Sequence, residues 1–153
     1  MVAGQPVTQQ EVALLGDFIA LLKQEQEALV RADPGSLSDI NNRKLILLAD
    51  LDRHEQIRAQ ILKLAPGENT REAMSQWLAV HPDQKATADT WLAVKNLARE
   101  AKRLHDLNGQ LIAMHLQRTS ELLAVLKRSE HQTLYGANGQ THQSSGSRII
   151  DQA

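Results

Sequence analysis

No cysteine occurs among the 153 residues. Disulfides and thiolate metal sites are thereby excluded, and the chain suits a reducing compartment. Aromatic residues make up 3% of the sequence against 42% for all apolar types. The core must then be Leu, Ile, Val and Ala, which favours helix-on-helix packing over a β-sandwich. No charge of one sign dominates: 17 Lys and Arg face 18 Asp and Glu, for a formal −1. Nothing in that balance condenses onto nucleic acid or an anionic membrane surface. The longest apolar runs, such as residues 45–49, are far too short to insert across a bilayer. Residues 1–10 carry neither a basic stretch nor a long apolar core, so no signal peptide is expected and the address is the cytoplasm.

Proline is scarce as well. Pro6, Pro34, Pro66 and Pro82 divide the chain, and none follows Pro82. Proline lacks an amide hydrogen and clashes with the preceding helical turn, so it marks helix starts and connections. Each stretch behind a proline carries apolar residues three and four apart. The expected fold is all-α: an antiparallel bundle or hairpin of long helices with a short connecting helix, a long C-terminal helix and a flexible tail. Residues 1–130 form the helical domain in this division and residues 131–153 the tail.

Thr8 followed by Glu11 predicts a capping box at the first helix, which runs to about Ala32. Its stripe is Val12, Leu15, Ile19, Leu22 and Leu29, widened by Leu14, Phe18 and Leu21. Asp33-Pro34 starts the second helix, whose apolar face takes Leu37, Ile40, Leu47, Leu48, Leu51, Ile57, Ile61 and Leu62. Asn69-Thr70 caps a short helix over 71–80 with Met74, Trp77 and Leu78 inward. Asp83 is expected to cap the last helix, whose pattern stops at Leu134.

The seam of that last helix steps from Val94 through Ala98, Ala101, His105, Asn108, Leu111, His115, Arg118 and Leu122 to Val125. Its ends are apolar and its middle is polar or small. A buried polar residue there would fix register; alternatively the middle faces water. The first explanation suits Asn108 and the second Arg118. Near the C-terminus, Leu122, Leu123, Val125 and Leu126 are either ordinary core or a groove for an amphipathic helix from a partner. Beyond them, Leu134-Tyr135 and Ile149-Ile150 are apolar residues in a Gly-, Ser- and Gln-rich segment that cannot bury enough surface to order itself. Leu134-Tyr135 is a local cap or a docking motif.

Chemistry is hard to find. His54-Glu55 begins a zincin-like pattern, but Arg58 stands where the second histidine belongs. His105 and His115 are not one turn apart, so no metal is expected. The carboxylates are interleaved with basic residues as on solvent faces. A Gly-rich phosphate loop is missing, and neither a catalytic residue nor a cofactor is assigned. One tyrosine and two tryptophans give no stacking platform for bases.

Two segments carry a resemblance. Leu107-Asn108-Gly109-Gln110-Leu111-Ile112 lies in the long helix, and Leu134-Tyr135-Gly136-Ala137-Asn138-Gly139-Gln140-Thr141 lies behind it, followed by Ser147-Arg148-Ile149-Ile150. With Leu21-Leu22, Glu25 and Leu29, Arg43-Lys44, Leu47-Leu48, Leu51 and Glu55, and Trp91, the whole chain resembles the FlgN-type flagellar export chaperones. The resemblance implies a cytoplasmic, non-enzymatic chaperone. It would bind the C-terminal helical segments of the hook–filament junction proteins, keep them from assembling early and deliver them to the type III export gate. It places client binding at Leu122, Val125 and Leu126, and more loosely at Ile149 and Ile150. Docking to the cytoplasmic domain of the gate falls on Tyr135 within Leu134-Tyr135-Gly136. Two other classes stay open: a self-associating helical adaptor, as a homodimer or larger, and a small-ligand or metal protein using the histidine-bearing seam.

Overall fold

Thr8 stops the extended N-terminal stretch and starts α1 (Gln9–Arg31), its Oγ1 accepting from the Glu11 N–H at 3.3 Å. Only half of the expected capping box forms, because the Glu11 carboxylate turns away to a buried guanidinium. At the other end Ala32 takes the left-handed conformation, φ 53° and ψ 53°, and its N–H and that of Asp33 bond back to the last turn. Asp33 then caps α2 (Pro34–Ile61), accepting from the Ser36 N–H at 3.2 Å and the Ser36 hydroxyl at 2.6 Å. Those bonds hold its carboxyl below the usual carboxylate range. Asn69 caps α3 (Thr70–Val80), and α4 spans Lys85–Gly136.

The computed structural model describes residues 4–136, and Ile149 and Ile150 lie outside them. It divides into two compact units, one through Leu111 and one from Ile112. Among the described residues every regular element is helical. α4 begins after Gln84, whose carbonyl accepts from the Ala88 N–H, so Asp83 is not its cap. Its backbone also runs past Leu134 to Gly136. It has 52 residues.

In the first unit α1 pairs antiparallel with α2: Glu11 meets Arg58 while Glu25 meets Lys44. α4 runs in the same direction as α1, because Gln9 bonds Thr90 near one end and Leu22 and Glu25 meet Asn108 near the other. α3 closes the end between α2 and α4. There Met74 joins Val7, Leu15, Trp91 and Val94, with Leu62 and Leu78 packed against them. The middle of the core is Phe18, Ile19, Leu22, Ala101 and Leu104. Leu21, Ala28 and Ile40 fill the α1–α2 end.

The buried face of α4 departs from the expected seam. Thr87, Thr90, Val94, Ala101, Leu104 and Asn108 are buried, with Leu97 packed on both inner clusters, while Ala98 and His105 are exposed. The true seam steps 3 and 4 from Thr87, with Leu97 and Leu104 in the places read as Ala98 and His105. α2 departs further. Leu48 and Ile57, expected inside, are exposed, as are Leu45 and Ile46, whereas Lys44 and Arg58 are buried. α2 therefore presents charge to the core and leucine to solvent at several turns.

Candidate functional site

α1 and α2 each place two charged side chains in their inward stripe. Glu11 and Arg58 form a two-pronged pair at 2.6 and 2.7 Å with both side chains almost fully buried. Arg58 also donates to Glu55 at 2.7 Å and to the Pro6 carbonyl at 3.1 Å, and lies 5.2 Å from the centre of the Trp91 ring. Burial works against its charge, but the hydrogen bonds and charges of Glu11, then Glu55, outweigh it and raise the guanidinium above its ordinary value. At the opposite end of the core Lys44 donates to both Glu25 oxygens at 3.0 and 3.2 Å. Asn108 Nδ2 donates to Glu25 at 2.8 Å and to the Leu22 carbonyl at 2.9 Å. Asn108 is 1% exposed, as the buried-polar explanation of its place in the seam expects, and Arg118 is exposed, as the water-facing explanation expects. These groups spend their charge on one another, so they form structural joints rather than a reaction centre. The sequence reading missed both ion pairs. The available signal was two carboxylates on the α1 stripe and two cations on the α2 stripe at equal spacing.

No set of three His, Asp or Glu capable of holding a metal occurs among the described residues. His81 closes α3, its Nδ1 2.7 Å from the Trp77 carbonyl and its ring stacked on Trp77 at 4.1 Å. Among the described residues no helix is long and apolar enough to cross a membrane.

The second unit offers a surface instead. Leu122, Val125 and Leu126 are 64%, 51% and 58% exposed. They are joined by Leu123 and, earlier on the same helix, by Ile112, Met114 and Leu116, all exposed. At about 100° per residue, Ile112, Leu116, Leu123 and Leu126 fall in one stripe, with Leu122 beside it, while Val125 and Met114 fall on the opposite side of the helix. That opposite side also carries Gln117, which donates to Glu121 at 3.1 Å. The structure thus brings Leu122 and Leu126 together, sets Val125 apart, and extends the apolar strip toward the N-terminus of α4. Leu134, Tyr135 and Gly136 are helical in backbone.

The comparisons with known proteins agree with one another. The family model described as FlgN protein matches residues 7–143. The flagella synthesis protein FlgN of Proteus mirabilis is 31% identical over 136 residues, covering 88% of this chain and 86% of that protein. The protein of the same name from Escherichia coli (strain K12) is 30% identical over 137 residues, covering 88% and 87%. That from Salmonella typhimurium is 28% identical over the same length and coverage. No solved structure matches the chain. A match over nearly the whole length, on an all-helical chain with a 52-residue last helix, places this protein in the FlgN family of flagella synthesis proteins.

Proposed function

We propose that the chain is a cytoplasmic, non-enzymatic export chaperone. It binds the C-terminal helical segments of the hook–filament junction proteins, keeps them unassembled and hands them to the cytoplasmic domain of the type III export gate. One observation supports this reading above the others. The second unit leaves leucine and isoleucine uncovered along one helical stripe. An uncovered stripe of that kind accepts an amphipathic helix by burying the facing apolar side chains. Leu122 and Leu126 are assigned to the client contact, which Val125 joins only where the client wraps round the helix past Leu122, and Ile149 and Ile150 to a clasp. Residues 131–153 serve as the segment that adds to this surface when cargo is present. Tyr135, flanked by Leu134 and Gly136, is assigned to gate docking.

The test is calorimetric titration of the full chain with the C-terminal helical fragment of a junction protein. Wild type is expected to form a 1:1 complex. Leu122→Ser with Leu126→Ser is expected to weaken it at least about a hundredfold, the loss of two buried leucines. Their exposure in the free chain means that the melting temperature stays within a degree or two of wild type. Unchanged affinity would remove these residues from the client site. Tyr135→Ala is expected to keep full client affinity and stability while losing binding to the gate domain. A drop in melting temperature of many degrees would make Tyr135 a packing residue. The same stripe also fits a second copy of this chain. In that case sedimentation shows a dimer, and melting depends on protein concentration without any client.

A further inference from the structure

The first unit holds a cleft of about 700 Å³ whose chemistry differs from the apolar strip. Arg58, Arg71, Lys95, Arg99 and Lys102 line it, with Glu11 and Glu55 as its carboxylates. Both carboxylates are already bound to Arg58. Among the described residues none of the other four cations has a carboxylate within ion-pair distance. The nearby Glu100 is taken by Arg103, at 2.7 and 2.9 Å. A chain of net charge −1 thus concentrates uncompensated positive charge in one concavity. Lys95, Arg99 and Lys102 step four and three along α4, a row about 10 Å long on one face. Arg71 enters from the start of α3.

We propose that this cleft binds an acidic stretch of a partner polypeptide, at a place separate from the client strip of the second unit. A row of cations that long suits several carboxylates in succession better than one compact anion. The cleft also has apolar lining from Leu51, Ala98 and Val94, against which the aliphatic part of a peptide can rest. Nucleic acid fits less well. Trp91, the sole aromatic side chain of the lining, is 8% exposed, with Arg58 and Lys95 over its ring, so no base can stack there.

The test is fluorescence anisotropy of a labelled oligoglutamate peptide against the full chain at low ionic strength. Saturable binding is expected, with none to an oligoglutamine of equal length. Arg99→Gln with Lys102→Gln should weaken it at least about tenfold, while Lys23→Gln, on the exposed face of α1, should leave it unchanged. Arg99 and Lys102 are exposed, so circular dichroism should report the same helix content in the variant. Client-fragment affinity is expected to be unaffected, which separates failure here from failure of the chaperone reading. Equal binding by variant and wild type overturns the proposal. So does displacement of the peptide by inorganic phosphate at equal charge concentration, which would mean a simple anion site. Tighter binding of a single-stranded RNA, lost in the same variant, would replace the peptide with nucleic acid.

Discussion

Glu11 stands two heptads before Glu25 on α1, and Lys44 stands two heptads before Arg58 on α2. In an antiparallel pair only one alignment satisfies both ion pairs at once. A slip by one turn would bury four charges without partners, at several kcal/mol each. The pairs therefore specify register more than they add stability. Glu11→Gln leaves the Arg58 guanidinium inside with only the half-exposed Glu55 for charge. It is expected to lower the unfolding free energy by about 3 kcal/mol in urea titrations. Combining Glu11→Leu with Arg58→Met should recover most of that loss. A double variant as unstable as the single would mean that packing, not charge, holds the site. Arg58 is raised above a value that already lies outside the working pH range, so its contribution is present throughout and would be lost only in strong alkali. None of this was legible at the level of single residues. Glu11 looked like half of a capping box and Arg58 like a failed zinc ligand. A charge in one helix's apolar stripe cannot be told from a solvent-facing charge until a partner helix supplies its opposite at matching spacing.

At the scale of helices, three of the starts are written in cap residues. Thr8, Asp33 and Asn69 each satisfy free amides, and the three helices behind them begin where those side chains place them. The fourth start was misplaced because Asp83 is a better cap by type than Gln84. Gln84 instead accepts from Thr87, whose hydroxyl also donates to Gln5 at 2.6 Å. The seam of α4 slipped for a related reason. Leu97-Ala98 and Leu104-His105 each offer a larger and a smaller neighbour, and the 3–4 step permits either. Thr87 and Thr90, which set the phase, are polar and were left out. Ala32 is a cap with unused stability, as is Lys63 behind α2, also at φ 53°. Ala32 sits at φ 53°, where its Cβ crowds the following carbonyl and glycine would not. Ala32→Gly is expected to raise the unfolding free energy by about 0.5–1 kcal/mol, after the extra freedom of glycine in the unfolded chain is subtracted. A loss of stability in thermal melts would show that the left-handed turn is not what limits the α1–α2 connection.

For the molecule as a whole, proline placement and the three- and four-residue apolar spacing, with a leucine-rich composition, made an all-α fold legible, but not which leucines would stay wet. Leu22 is fully buried while Leu45 and Leu122 are 59% and 64% exposed. The sequence writes the same residue at the same helical spacing in each case, and only the presence of a facing helix decides. Sequence therefore locates stripes, whereas structure says which are vacant. The two surfaces proposed here differ in physical kind, and that difference gives a test needing no mutation. Apolar burial on the second unit should be indifferent to salt or slightly strengthened by it. Ion pairing in the cleft of the first unit should be screened, since the Debye length falls from about 10 Å at 0.1 M to about 3 Å at 1 M. Raising sodium chloride across that range should weaken oligoglutamate binding at least about tenfold while changing junction-fragment affinity less than about twofold. Titrating both probes against one preparation, alone and together, checks the claim. Independent saturation with divergent salt slopes means two surfaces. Competition with parallel slopes would mean that the cationic cleft and the apolar strip engage the same partner segment, and the division of labour between the units would have to be abandoned.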